Sequence, residues 1–237
     1  MDKLPVRQAH GKPVRQDHDK RATDKPRVAV FSLAYAPHEG GAEVALREIV
    51  NRSSRTGAFD IFTHRFIPSH AALTVAAPHV RVHRVGPGSG YAVADSYGFR
   101  FGKLAYIYRA WRAAEAAHRA QPFAVVWAMM AAYAGAAALL FKLNHPTVPL
   151  LLTLQEGDSE RHILARVGLF YPLWRMLFTR ADAVTAISRS LADFARRHGA
   201  NGTIEVIPNG VDARNFQFPI SNFQKKKRES LTVITTS

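Results

Sequence analysis

The feature that most constrains this chain is a recurring alternation of short apolar runs with helix-patterned segments. The runs "RVAVFSL", "FDIFTH", "VRVHRVG", "FAVVWA", "VPLLLTL", "DAVTAIS" and "TIEVIP" each have strand length. Helical patterns occupy Ala42 to Ser54, Lys103 to Ala120, Tyr133 to Leu143, Arg161 to Phe178 and Ser190 to His198. Strands that are apolar throughout, instead of at every second residue, are the kind covered on both faces. Their alternation with helices predicts an α/β fold built on a doubly wound, Rossmann-like parallel sheet. At 237 residues, 47% of them hydrophobic, the chain can bury one substantial core and part of a second.

Punctuation refines the boundaries. Ser188 and Ser190 lie where a helix cap would sit, Asp193 follows Ser190 at capping-box spacing, and Gly199 comes just after the last helical turn. Asn209-Gly210 reads as a tight turn after the last strand. Residues 1–26 hold few large apolar side chains and are expected to form a disordered basic tail, with eight Lys and Arg against four acids before Val28. The tail lacks the apolar segment of a signal peptide. The uncharged run from Ala124 to Phe141 has marginal membrane-span length, but its Ala content and flanks suit a buried strand, Ala124 to Ala128, followed by a core-facing helix.

The chain has no cysteine, which excludes disulfides, thiolate metal sites and cysteine nucleophiles. Its net charge of +14 favours anionic partners such as lipid headgroups, nucleic acid or phosphorylated substrates. A solvated basic surface explains the same number.

In an open parallel sheet, ligands gather beyond the carboxyl ends of the strands, which directs attention to four loops. "YAPHEGGAE" brings Gly40, Gly41 and Ala42 to a helix start, where bare amides suit a phosphate, although turn formation also explains two glycines. Its spacing is neither that of dinucleotide enzymes nor that of a P-loop. "TLQEGDSERH" crowds Gln155, Glu156, Asp158 and Glu160 at the end of a buried strand, where a carboxylate can hold a sugar hydroxyl or act as a base. Helix capping by Asp158, Ser159 and Glu160 is the competing explanation. "AISRS" and "IPNGVD" add Ser188, Asn209, Gly210 and Asp212, for each of which capping or turn formation suffices when taken singly.

Taken in this order and spacing, the four loops resemble those of family-4 glycosyltransferases of the GT-B architecture, and the likeness covers residues 27–215. "ADAVTAIS" followed by "VIPNGVD" is its most specific part. The resemblance implies an N-terminal, acceptor-binding domain over 27–215, a linker over 216–230, and in "LTVITTS", residues 231–237, the first strand of a missing donor-binding domain. It further implies a retaining transferase that moves a hexose from a nucleotide-diphosphate sugar, its co-substrate, to a saccharide or lipid-linked acceptor. No metal and no other cofactor would be needed, and without the second domain the chain would be inactive. On that model Gly40, Gly41 and Ala42 approach the donor diphosphate and Gln155 and Glu156 are the catalytic candidates. Asp158, Ser188, Asn209, Gly210 and Asp212 then bind substrate. Many members carry a His where this chain has Gln155 and Glu156, and the chain is similar to a subgroup with "QEGD" in that place.

The same model implies a cytoplasmic protein, with peripheral contact to the inner face of the plasma membrane. The Arg-rich helices around Trp111, Tyr171, Trp174 and Phe178 suit either an anionic membrane or an ordinary core. A separate chain carrying the donor domain is the expected protein partner. A contrasting expectation is a non-catalytic module that binds anionic membrane or nucleic acid through its basic surface. Nucleic acid is disfavoured, because no reader motif is present.

Overall fold

The computed structural model describes residues 25–38, 40–88 and 100–211. The expected linker, the terminal strand, most of the basic tail and Asp212 lie outside the described residues. Eight strands form one sheet: β1 (Arg27–Phe31), β2 (Ala58–His64), β3 (Leu73–Ala77), β4 (Val80–Val85), β5 (Val125–Met129), β6 (Leu150–Leu154), β7 (Ala183–Ala186) and β8 (Thr203–Val206). The helices are α1 (Gly41–Arg52), α2 (Arg100–Ala120), α3 (Tyr133–Asn144), α4 (Glu160–Val167), α5 (Tyr171–Arg180) and α6 (Arg189–Arg197).

The strand order is β3-β4-β2-β1-β5-β6-β7-β8, and every pairing is parallel except that of β3 with β4. This is the doubly wound α/β sheet expected from the alternation. From β1 the chain steps one way to β2 through α1, and later the other way from β1's neighbour β5 out to β8. Because crossovers between parallel strands are right-handed, the two directions put their helices on opposite faces. Phe31, Val126, Ala128, Leu152, Leu154 and Val184 pack on one face against α2, α3, α5 and α6. Val30, Ile61, Val82, Trp127 and Met129 point to the other, where Leu46 and Val50 of α1 meet them.

The second face is therefore less covered than apolar strand runs suggest. Beyond α1 it opens into a groove of about 550 Å³ floored by Val28, Val125, Trp127, Leu151, Thr153 and Thr185. The polar atoms of that floor satisfy one another: Trp127 Nε1 donates to Thr153 Oγ1 at 2.8 Å, and the Thr153 and Thr185 hydroxyls are 2.7 Å apart.

Other differences from the sequence reading are local. Strand β3 was not legible, because Leu73 and Val75 point to solvent at the sheet edge and give no burial signal. The single helix expected over Arg161 to Phe178 is two, separated by a 3-10 turn at Gly168–Phe170, with Gly168 at φ +50 and Pro172 in the first turn of α5. Ser188, not Ser190, caps α6, accepting from Leu191 N at 3.3 Å, while Asp193 pairs with Arg196. Residues 207–210 run without a turn, so the tight turn expected at Asn209-Gly210 does not form. Gly199 does end α6, at φ +97. Two residues assigned to the tail are already tied to the domain: Lys25 Nζ donates to Ser54 O, and Ala58 N donates to Pro26 O.

The amino ends of the strands carry buried charges with full sets of partners. Asp60 on β2 is 1% exposed and receives Arg27 of β1 together with Arg81 and His83 of β4. Burial alone would raise its pKa, but hydrogen bonds from His83 and Arg27 and the charges of Arg27 and Arg81 hold it below the ordinary carboxylate value. Lys142 of α3 reaches Pro146 O, Val148 O and Asp182 Oδ2 within 2.9 Å, and the same Asp182 oxygen accepts from Leu150 N.

Candidate functional site

Each loop singled out from the sequence follows the carboxyl end of a strand, so all share one rim of the sheet. After β1, the Gly40 amide donates to Glu43 Oε2 at 2.8 Å, so the carboxylate of the first turn satisfies the N-cap amide. Gly40 has φ −104, a value open to any residue. A Cβ built on Gly41 would meet nothing within 4 Å, and one on Gly40 would meet only the movable Glu43 carboxylate at 3.0 Å. Gly135 and Gly202 are different, since their Cβ atoms would lie 2.4 Å from Leu177 Cδ2 and from Asp182 O. Packing inside the domain explains those two glycines and does not explain Gly41. Ala42, next in the helix, packs its methyl toward the Trp127 face.

After β6, Gln155 and Glu156 part company. Gln155 reaches across to the end of β8 and forms a reciprocal amide pair with Asn209, at 3.2 and 3.1 Å. Gln155, Asn209 and Gly210 together line the mouth of the open-face groove. Glu156 instead turns inward and accepts a hydrogen bond from Ala131 N in the β5–α3 turn. Burial pushes its carboxyl up, against backbone hydrogen bonds from Ala131, Glu156 and Gln155 that pull it down. Its second oxygen has no hydrogen-bond partner among the described residues.

The remaining candidates have structural partners. Asp158 pairs with Arg166 at 3.0 Å. Of the three residues expected at the start of α4, Ser159 is the one that caps it. Glu160 ties α4 to α6 through Arg197 and His198. Ser188 caps α6 and stands one strand from Gln155. The structure thus joins Gln155 to Asn209 directly. It sets Gly40–Ala42, Ser188 and Gly210 on the same rim and withdraws Glu156 beneath it.

Sequence reasoning missed the β5–α3 turn. Met130 has φ +72, a left-handed conformation that costs a non-glycine residue free energy. Three bonds hold the turn: Met130 N to Thr153 O, Ala131 N to Glu156, and Trp174 Nε1 to Ala131 O at 2.7 Å. "WAMMAAY" contains no glycine or asparagine to announce such a turn. Also missed were His38 and Arg65, which follow β1 and β2. Among the described residues, their Nε2 and Nε atoms, like Glu156 Oε2, are buried without a hydrogen-bond partner. His64, at the end of β2, is held down to about 4 by burial and by the nearby Arg109 charge, so it is neutral at neutral pH.

Chemically, the rim offers bare amides at a helix start, a neutral amide pair and a buried carboxyl behind them. These are groups for binding and orienting a polar ligand. Among the described residues no three His, Cys, Asp or Glu side chains converge as metal ligands, and no helix is long and apolar enough to cross a membrane.

Comparison with known proteins places this geometry. The fold is similar to that of sucrose-phosphate synthase from Thermosynechococcus elongatus, with a TM-score of 0.62 and 18% identity over 80% of this chain and 49% of that one. It is also similar to HepE of Anabaena, solved in complex with UDP and glucose, with a TM-score of 0.51 and 18% identity over 84% of this chain and 49% of that one. The chain therefore spans about half the length of each. At such identities the likeness is one of fold. No curated protein matches by sequence. The family model described as a glycosyl transferase 4-like domain matches residues 40–210, from the glycine pair to the end of the amide-paired loop. That span is well over half of the chain, and the protein accordingly belongs to the glycosyl transferase 4-like domain family.

Proposed function

We propose that this chain is the acceptor-binding half of a retaining, GT-B-type hexosyltransferase that uses a nucleotide-diphosphate sugar and is inactive without a donor-binding half. The observation that carries this reading is the open space in front of Gly41, on the same rim as the Gln155–Asn209 pair. A diphosphate approaching the α1 amides would meet no side chain there. In the reaction, the bond between the sugar's anomeric carbon and the diphosphate oxygen breaks. The acceptor hydroxyl oxygen bonds to that carbon on the same face, and its proton leaves with the departing phosphate.

In this scheme Gly40, Gly41 and Ala42 face the diphosphate, and Gln155, held by Asn209, lies against the transferred sugar. Ser188, Gly210 and Asp212 border the substrate. Glu156, enclosed behind the rim, acts through the β5–α3 turn and not on the sugar. Asp158, tied to Arg166, is peripheral. No metal enters the scheme, because the departing charge is met by amides and by cations of the donor half. Supply of the nucleotide sugar sets the reaction in the cytoplasm, against a saccharide or lipid-linked acceptor.

The test is reconstitution. The chain is combined with a separately expressed family-4 donor half, and hexose transfer is followed over a panel of nucleotide sugars and acceptors. Transfer that requires both halves and is lost in Gln155→Ala supports the reading. A folded, stably associated pair that transfers to no acceptor in the panel argues against it.

A further inference from the structure

The junction between α4 and α5 is built against the usual rule for turns. Where the chain reverses, at Gly168–Phe170, it presents large apolar residues: Leu169 is 98% exposed, Phe170 73% and Leu173 48%. The adjacent side chains Ile163, Leu177 and Phe178 are buried, so the two helices have used one apolar side on their own core and left a second outside. Contiguous exposed apolar residues of this kind ordinarily mark a contact surface.

The charges of the two helices around this tip are mostly positive, Asp158 paired with Arg166 and Glu160 at the start of α4 being the exceptions. From Arg161 to Arg180 the sequence holds four arginines, Arg161, Arg166, Arg175 and Arg180, and no acid. All four are exposed. An apolar tip between two helices that both carry exposed arginines fits an interface in which the tip enters acyl chains and guanidinium groups meet anionic headgroups. A second copy of the chain fits poorly, since a two-fold contact would set arginines against arginines.

We infer that the Leu169–Phe170–Leu173 tip and the exposed arginines of α4 and α5 form a docking surface for an anionic lipid bilayer. The tip is fixed to the rim at two points. Trp174 Nε1 donates to Ala131 O in the β5–α3 turn, and Arg166 pairs with Asp158 beyond β6. A domain seated on a bilayer by this tip holds its rim near the headgroups. Resting on the transferase reading, that position selects a lipid-linked acceptor over a free saccharide.

The experiment is vesicle flotation with the full chain, using phosphatidylcholine with and without phosphatidylglycerol, at low and moderate salt. The wild type is compared with Leu169→Asn/Phe170→Asn, which leaves the charge unchanged. The wild type is expected to float with the anionic vesicles and the double variant to bind them about tenfold or more weakly, at an unchanged melting temperature. Equal binding by the two would overturn the inference, because net charge would then suffice without the tip. Failure of the wild type to bind at low salt would overturn it too. So would a wild-type dimer that the double variant dissolves, which would assign the surface to a second copy. The measurement needs no turnover and therefore stands or falls separately from the transferase reading. A lipid-linked acceptor is tested afterwards, by transfer to vesicle-borne and soluble acceptors in the reconstituted pair.

Discussion

The two ends of the sheet treat buried polar groups in opposite ways. At the amino ends, Asp60 collects Arg27, Arg81 and His83, and Lys142 collects two carbonyls and Asp182. At the carboxyl ends, His38, Arg65 and Glu156 each keep a buried atom with no partner among the described residues, and Met130 holds a strained backbone angle. An unpartnered buried polar atom costs free energy, about 1–3 kcal/mol for a neutral group. One end of the sheet is thus optimised for stability and the other is left incompletely satisfied, as expected where a ligand completes the set.

Substitutions sharpen this contrast, and the largest effect belongs to the satisfied end. Asp60→Ala leaves Arg27, 5% exposed, without its carboxylate partner, while Arg81 and His83 reach partly into solvent, and we expect a loss of about 3–5 kcal/mol in urea unfolding. A loss as small as that of a surface charge would show that the cations escape to solvent and that this end is less closed than its geometry indicates. Lys142→Met strands the Pro146 and Val148 carbonyls and is expected to cost about 1–3 kcal/mol, measured in the same way.

The pH dependence of stability separates the two ends by sign. Asp60, Glu115 and Asp182 have folded pKa values lowered by their partners, against the upward push of burial. Their contribution is present above the ordinary carboxyl pKa and is lost as pH falls through the lowered folded values. Glu156 is raised by burial, so it works the other way. The folded form retains its proton longer than the unfolded chain does, and stability falls as pH rises from the ordinary carboxyl range through the raised folded value. Glu156→Gln removes that falling limb, so the variant gains on the wild type between acid and neutral pH. Parallel stability curves for the two proteins would mean that Glu156 is solvated and ionised like a surface residue.

The smallest effect on folding and the largest on ligand binding should coincide at Gly41. Gly41→Val places its side chain in empty space, and the melting curve should shift by no more than about 0.5 kcal/mol. Nucleotide-diphosphate sugar binding by the reconstituted pair should be abolished. A variant that unfolds would return this glycine to the role of a turn former.

Much of the scaffold was legible because burial writes itself into sequence. Runs of strand length marked every parallel strand, although β4 alternates and the edge strand β8 is largely exposed; β3, exposed at the other edge, was not marked. The site was legible only as a set of loops. That Gly41 has room in front of it depends on what surrounds the start of α1 in three dimensions, which the apolar runs leave unspecified. The roles of Gln155 and Glu156 could not be separated by reading, since adjacent polar residues at a strand end point to opposite sides and only packing tells which side is closed.

By itself, then, the sequence determined the class of the fold, the positions of its parallel strands and the loops that could carry chemistry. The period and length of apolar runs are properties of the chain alone, and the family's loop motifs survive in it. Tertiary structure decided what depends on residues far apart in the chain: the pairing of Gln155 with Asn209, the inward turn of Glu156 onto Ala131, the half-open second face and the apolar tip left outside between α4 and α5. Each is settled by which surfaces remain after the helices take one face of the sheet, and right-handed crossover makes that choice for the whole domain at once.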